Sequence, residues 1–390
     1  MNLISRQVST LSAYLVVGTI TTLCISQNPA NATILIGNTQ GNSIIRFDEQ
    51  TGTFLGDFTT SNISALRDPD DLTFGPDGNL YVSVGGSSVL NLFNPSYPTD
   101  SAVLRFSPSG EFLGVAATGN GLTRPYGNAF GPDGTLYISS FRTNQILKFN
   151  PNTGAFLGVF ASDNNNGRGS LNGLNGPNDL LFGPDGSLYV TTQGSANTAD
   201  GDLSYPYESQ VLRYSPEQVA GVEPTTNPSV FISQPTPLPE SFGFVSLLGL
   251  TLAPNNDILV SDFAGGIRRY NSSGVLLETI STNYTGTNPS SNFIGNLTFG
   301  SGNFKNNLYV AGFDFTNNNR GSILAFNGAT GNANSFTGIQ YSNGSLVRSI
   351  GIAAVPVPEN SSLLGLAGIG ILYLASASKK LKLTSKKKFS

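Results

Sequence analysis

Three stretches of the chain are near copies of one another. Residues 71–83 read Asp-Leu-Thr-Phe-Gly-Pro-Asp-Gly-Asn-Leu-Tyr-Val-Ser, residues 128–139 Asn-Ala-Phe-Gly-Pro-Asp-Gly-Thr-Leu-Tyr-Ile-Ser, and residues 179–191 Asp-Leu-Leu-Phe-Gly-Pro-Asp-Gly-Ser-Leu-Tyr-Val-Thr. A fourth copy at 249–261 carries Ala-Pro-Asn-Asn at its centre, and a fifth at 296–311 has a longer insertion there. Such self-similarity means one supersecondary unit used repeatedly, each copy burying its apolar face on its neighbours. Within a copy, proline presets the φ of a turn, aspartate bonds nearby backbone, and glycine accepts the positive φ that follows. The string therefore encodes two short strands joined by a tight turn. A third and a fourth strand come next, clearest at 145–149 and 155–160 on either side of Asn-Pro-Asn-Thr-Gly, and the same pair recurs at 44–58, 103–116 and 267–280. Four antiparallel strands per unit make a propeller blade.

The two ends of the repeat region do not hold whole blades. Residues 34–37 correspond to a second strand and 44–58 to a third and fourth, whereas 349–354 correspond to a first strand with no successors. Put together, the remnants complete one blade, so the expected fold is all-β: a six-bladed β-propeller over residues 33–356, closed by its N- and C-terminal strands in one sheet. Closure of this kind removes an exposed edge that invites aggregation. Composition agrees, since 46 Gly and 22 Pro beside 25 Phe and 14 Tyr describe a turn-dense, strand-favouring chain.

Charge and residue usage narrow the function. Arg6 and the six lysines between Lys379 and Lys388 lie outside the body, leaving 13 basic residues against 24 acidic ones, a charge of −11. A body so acidic repels phosphate backbones and excludes nucleic acid as a partner. The chain has no histidine or tryptophan, and its one cysteine, Cys24, lies near the N-terminus. Disulfides, the usual zinc ligand sets and Ser/His or Cys/His catalysis are thereby excluded.

Innermost strands of a propeller converge on its axis. Aligning the copies places Asp70 and Asp71, Tyr126 and Gly127, Asn178 and Asp179, Leu248 and Gly249, Gly295 and Asn296, and Ile350 and Gly351 at equivalent positions. Three carboxylates and two amides are thus expected on one side of the ring, with Asn128 one step further along. The set Asp70, Asp71, Asn128, Asn178, Asp179 and Asn296 offers oxygen ligands suited to calcium or magnesium, and the same groups serve equally as loop caps or solvated channel-mouth residues. Loops following the second strands, at 85–101, 193–209 and 313–320, are polar, carry scattered aromatics such as Tyr97 and Tyr205, and are expected to project from one common face.

The Gly-Pro-Asp-Gly-x-Leu-Tyr-Val/Ile core with the following Asn-Gln-Ile-Leu-Lys-Phe resembles NHL repeats and the wider six-bladed group that includes SMP-30/gluconolactonase-like proteins. That resemblance implies the propeller and, through Pro177, Asn178, Asp179 and Leu180, which are similar to the family's Pro-Asn-Gly-Leu, a calcium-dependent lactonase activity. Three of the six blades, however, bring only Gly, Leu or Ile to the axis, and the histidine that some relatives use is missing.

Both termini read as targeting segments. Residues 1–32 have Arg6, an apolar run at 11–25 and a small-x-small end at Ala30, Asn31 and Ala32, the pattern of a signal peptide. At the other end, Val357, Pro358 and Glu359 precede an uncharged apolar run at about 363–377, long enough with its flanking serines to approach a bilayer span, and then the lysines at 379–388. This three-part tail, residues 357–390, resembles a PEP-CTERM sorting signal with Asn360 in place of the second proline. The resemblance implies an exosortase-type membrane protease as partner, transient membrane anchoring, and delivery to the cell surface or beyond.

Two functions remain on this reading. One is a non-catalytic surface scaffold that binds extracellular polysaccharide or another protein. The other is a calcium-dependent lactonase or related hydrolase using the axial Asp/Asn group.

Overall fold

The computed structural model describes residues 32–85, 101–163, 167–221, 225, 227–327, 339–340 and 346–357. Six four-stranded antiparallel sheets carry the architecture. Blade 1 runs from the axis outward as Ser349–Ala354, Thr33–Asn38, Ser43–Asp48 and Phe54–Asp57. Blade 2 consists of Asp71–Phe74, Leu80–Val84, Ala102–Phe106 and Phe112–Thr118. Blade 3 follows with Pro125–Phe130, Leu136–Ser140, Gln145–Phe149 and Phe156–Ser162. Pro177–Phe182, Leu188–Thr192, Gln210–Tyr214 and Ser229–Ile232 form blade 4. Blade 5 holds Leu247–Leu252, Ile258–Asp262, Ile267–Tyr270 and Leu276–Ile280, and blade 6 holds Asn292–Phe299, Asn307–Asp314, Arg320–Asn327 and Ile339–Gln340. The expected closure is present: Ile34 pairs with Ala354 and Ile36 with Ile352, so the last strand lies innermost in the sheet begun by the first.

The repeated string does two jobs. Its turn is built as the residue types require, with Asp77, Asp133 and Asp185 accepting the backbone N–H two residues on, and Gly78, Gly134 and Gly186 at φ near 80°. Its aromatics couple neighbours: Tyr81 of blade 2 meets Phe130 of blade 3 edge-on at 4.8 Å, and Tyr137 of blade 3 meets Phe182 of blade 4 at 5.1 Å. Each of the six sheet-to-sheet interfaces then holds its own buried apolar cluster. The one that joins blade 6 to blade 1, with Tyr309 and Ile323 against Ile36, Phe47 and Ile352, closes the ring.

At the axis the sheets meet backbone to backbone. The equivalent positions read Asp71, Gly127, Asp179, Gly249, Asn296 and Gly351 from blade 2 round to blade 1, a side chain alternating with a glycine. The glycines are needed for space. A Cβ at Gly127 would lie 2.6 Å from Asp179 Cα, and one at Gly249 2.8 Å from Asn296 Cα. Inner strands of blades 3, 4, 5 and 6 also carry a β-bulge here, between Pro125 and Asn128, Pro177 and Leu180, Leu247 and Leu250, and Ile294 and Leu297.

Residues 1–31 and 358–390 lie outside the described residues, and with them the expected leader, Pro358, Glu359 and the apolar run at 363–377. Val357 is described and lies against Gly302. No helix among the described residues is long and apolar enough to cross a membrane.

Candidate functional site

A bulge places two successive residues of one strand opposite a single partner, so both can face the same way. That is how Asn178 and Asp179 come to the axis together. The bulge also frees a backbone N–H from the ladder, and the Ser or Thr that ends the repeat string accepts it: Gly127 N donates to Ser139 Oγ at 2.8 Å, Asp179 N to Thr191 Oγ1 at 2.9 Å, and Gly249 N to Ser261 Oγ at 2.7 Å.

The structure divides the six axial residues that the alignment groups on one side. Asp70 and Asn178 line a cavity of about 600 Å³ at one mouth of the ring. Asp71, Asn128, Asp179 and Asn296 line a separate cavity of about 400 Å³ at the other, the side of the Gly-Pro-Asp-Gly turns. The first residue of each pair, Asp70 or Asn178, faces one mouth and the second, Asp71 or Asp179, the other, and repeat alignment carries no signal for that.

The lower four line a belt in which Asn128 and Asn296 both donate to Asp71, while Asp179 is bonded to backbone alone. Asp71 Oδ2 accepts from Asn128 N at 2.8 Å and Asn128 Nδ2 at 2.9 Å, while Oδ1 accepts from Leu72 N at 2.9 Å and from Asn296 Nδ2 at 3.0 Å. Asp179 repeats the backbone half of this scheme, accepting from Leu180 N at 2.8 Å and from Leu250 N, in the next blade, at 2.7 Å. Each carboxylate thus staples its blade to the following one. Burial pushes Asp71 up to about 6 against those N–H donors, and Asp179, buried and facing the charge of Asp71, titrates well above the usual carboxylate range. Calcium fits this arrangement poorly. The six oxygen-bearing residues do not converge on one point, the belt carboxylates already face N–H dipoles, and among the described residues no three acidic side chains stand close enough to share a metal.

The upper mouth is open and chemically mixed. Blades 1 to 4 supply Arg348, Asp70, Arg124, Tyr126, Asn178, Gln193, Tyr205 and Tyr207, and the blade 5 side supplies Gln234, Phe244, Leu248 and Phe263. Phe263 and Phe244 are backed by Phe293, itself stacked on Phe315 at 4.6 Å, so this wall is a continuous aromatic layer. Arg124 lies over the rings of Tyr126 and Phe141 at 5.0 and 5.1 Å, which fixes its guanidinium by cation–π attraction. Asp70 is almost wholly buried, and its Oδ2 has no hydrogen-bond partner. Burial raises its pKa to about 7, with Arg348 and then Arg124 pulling the other way. Asn178 Nδ2 is likewise buried and unpartnered.

Sequence reasoning found Asp70 and Asn178 through the repeat, and of the three loops it expected on one common face, the one at 193–209 brings Gln193, Tyr205 and Tyr207 to this cavity. It passed over Arg124 and Arg348, which stand two residues before the axial positions of blades 3 and 1. Their signal was available: they are scarce cations in an acidic body, placed at equivalent points ahead of two inner strands.

No protein-family model matches the chain, and no curated protein does. Among solved structures, a chain of a nidogen/laminin complex aligns over 83% of this chain and 98% of its own length at 16% identity, with a TM-score of 0.54. A Bacteroides caccae protein of unknown function aligns over 85% and 100% at 12% identity and a TM-score of 0.52. The periplasmic gluconolactonase of Pseudomonas aeruginosa aligns over 80% and 83% at 17% identity and a TM-score of 0.49. Likeness at these identities is likeness of fold, and the fold it identifies in this chain is the six-bladed β-propeller.

Proposed function

We propose that the protein is an exported, non-catalytic binding protein whose propeller presents its upper mouth to a saccharide of the cell surface or extracellular matrix. The observation that carries this reading is the cavity of about 600 Å³ in which tyrosine and phenylalanine rings face amides, a carboxyl group and two guanidiniums. Ring faces suit the C–H faces of pyranose sugars, and convergent amide and charged groups suit their hydroxyls. A hydrolytic role draws less support. General acid–base work needs two titratable groups within reach of one substrate. Among the described residues the upper mouth offers one carboxyl, Asp70, beside tyrosines that ordinarily titrate near 10, while Asp71 and Asp179 lie in the other cavity, occupied with backbone N–H groups.

On the same reading, the N-terminal segment directs export. The Val357, Pro358 and Glu359 tail directs sorting by an exosortase-type protease, after transient anchoring through the apolar run at 363–377. Export and an acidic, histidine-free body agree with a matrix or surface role.

Calorimetric titration of the purified protein with extracellular polysaccharide fragments tests the proposal. Binding is expected, and Tyr207→Ala or Phe244→Ala should weaken it about tenfold by removing a stacking face. Turnover of a lactone that disappears in Asp70→Asn would overturn the non-catalytic reading in favour of the hydrolase.

A further inference from the structure

Arg124 and Arg348 stand out from the other groups of the upper mouth. Both line the cavity, both have a buried Nε without a hydrogen-bond partner, and among the described residues no ion pair joins either to Asp70 or to any other carboxylate. Arg213, Arg268 and Arg269, by contrast, pair with Asp185, Asp262 and Asp257. Each unpaired arginine also sits in a backbone conformation that arginine seldom adopts, with φ of 57° at Arg124 and 49° at Arg348. The equivalent turns use Asp68 in blade 2, at φ 47°, and Gly176 in blade 4, at φ 63°, where glycine meets the same requirement without strain. Two blades therefore keep a long cationic side chain where glycine would be easier, and strained residues of this kind cluster at ligand clamps. The mouth is cationic in a body whose net charge is strongly negative.

We propose that the saccharide taken by the upper mouth carries a carboxylate, as a uronic acid does, and that Arg124 and Arg348 are its anion clamp. The inference rests on the saccharide reading given above. Guanidinium groups present paired N–H donors that match a carboxylate in geometry and charge. Next to the clamp, Asp70 Oδ2 and Asn178 Nδ2, one acceptor and one donor without partners, are placed for the sugar hydroxyls. Tyr126, over whose ring Arg124 lies, lines the same cavity.

The test is calorimetric titration of the full-length protein with oligogalacturonate, with its methyl ester and with a neutral maltooligosaccharide. The acid should bind about tenfold tighter than the ester, a preference that shrinks as salt is raised. Arg124→Gln and Arg348→Gln should each weaken acid binding by about that factor and bring the acid-to-ester ratio toward unity. Arg124→Lys, which keeps the charge, should retain part of the ratio. Should a Gln variant melt early, the ratio in the wild-type protein and its salt dependence still decide. Equal affinity for acid, ester and neutral sugar overturns the inference and leaves the saccharide reading standing. Binding of none of the three overturns the saccharide reading and the inference with it.

Discussion

Buried between Arg124 and Arg348 without an ion pair to either, Asp70 loses hydration and gains no compensating bond at Oδ2, so its pKa rises from 3.8 to about 7. Across that window the folded chain holds a proton that the unfolded chain has released. Stability contributed by this group is therefore full below about pH 4, falls as pH rises toward 7, and is level above. Asp70→Asn removes the titration and should be more stable than wild type by a margin that opens between those values, on the order of 4 kcal/mol at its widest. Melting temperatures of the two proteins across that range check it; a gap that narrows with rising pH would show that the arginines hold Asp70 ionised. Residues at this scale were only partly legible. Alignment of the repeat brought Asp70, Asp71, Asn128, Asn178, Asp179 and Asn296 to the axis, because periodic strings map onto equivalent points of a ring. What it could not divide was the group between two mouths, since the mouth a side chain faces is set by the local backbone direction, which residue type does not report.

Strands were the most legible part of the molecule, because turn residues and alternating aromatics mark them directly. Their irregularities were read less well, although two recurring residue choices turn out to encode them. The first is the Ser or Thr that ends the second strand, after Leu-Tyr-Ile, Leu-Tyr-Val or Ile-Leu-Val, whose hydroxyl accepts the N–H released by the inner-strand bulge at Gly127, Asp179 and Gly249. The second is Phe-Leu-Gly in the outer strands. Leu55, Leu113 and Leu157 are the extra residues of outer bulges, each followed by a glycine at φ of 99°, 123° or 139°. Bulges twist an outer edge away from flat pairing, which protects a ring that exposes its fourth strands to solvent. Removing the inner-strand acceptor leaves a buried N–H unsatisfied, so Ser139→Ala and Thr191→Val should each cost about 1–3 kcal/mol. Thr191→Ser should cost less, and Ser109→Ala, on an exposed turn, should cost almost nothing. Urea unfolding of the four variants measures this, and equal midpoints for all of them would remove the hydroxyls from the account.

A ring of six sheets is only as stable as the joint that closes it, and here that joint is made by the two ends of the described chain. Ser349–Ala354 supplies the innermost strand to a blade whose other three strands begin at Thr33. A second tie crosses the same joint from outside: Glu49 accepts from Ser301 N at 2.9 Å and Ser301 Oγ at 3.1 Å, and its carbonyl accepts from the Tyr309 hydroxyl. Between these ties lies the apolar cluster of Ile36, Phe47, Tyr309, Ile323, Leu346 and Ile352. A chain ending at residue 344 would lose Leu346, Ile350, Ile352 and Ala353, all buried, and leave the strand at Thr33 unpaired on its axial side. Burial of such side chains contributes about 1.5–3 kcal/mol each for the larger ones, which together approaches the whole margin by which a domain stays folded. The outer tie cannot compensate, because one carboxylate bonded to one serine holds the rim of the joint and none of its core. The chain ending at residue 344 should therefore aggregate or melt far below one ending at residue 356, which keeps every strand of blade 1. Scanning calorimetry of both, with light scattering to detect association through the open edge, checks the claim. Equal melting temperatures would mean that the last strand is dispensable and that the ring is held shut by blade 6 alone.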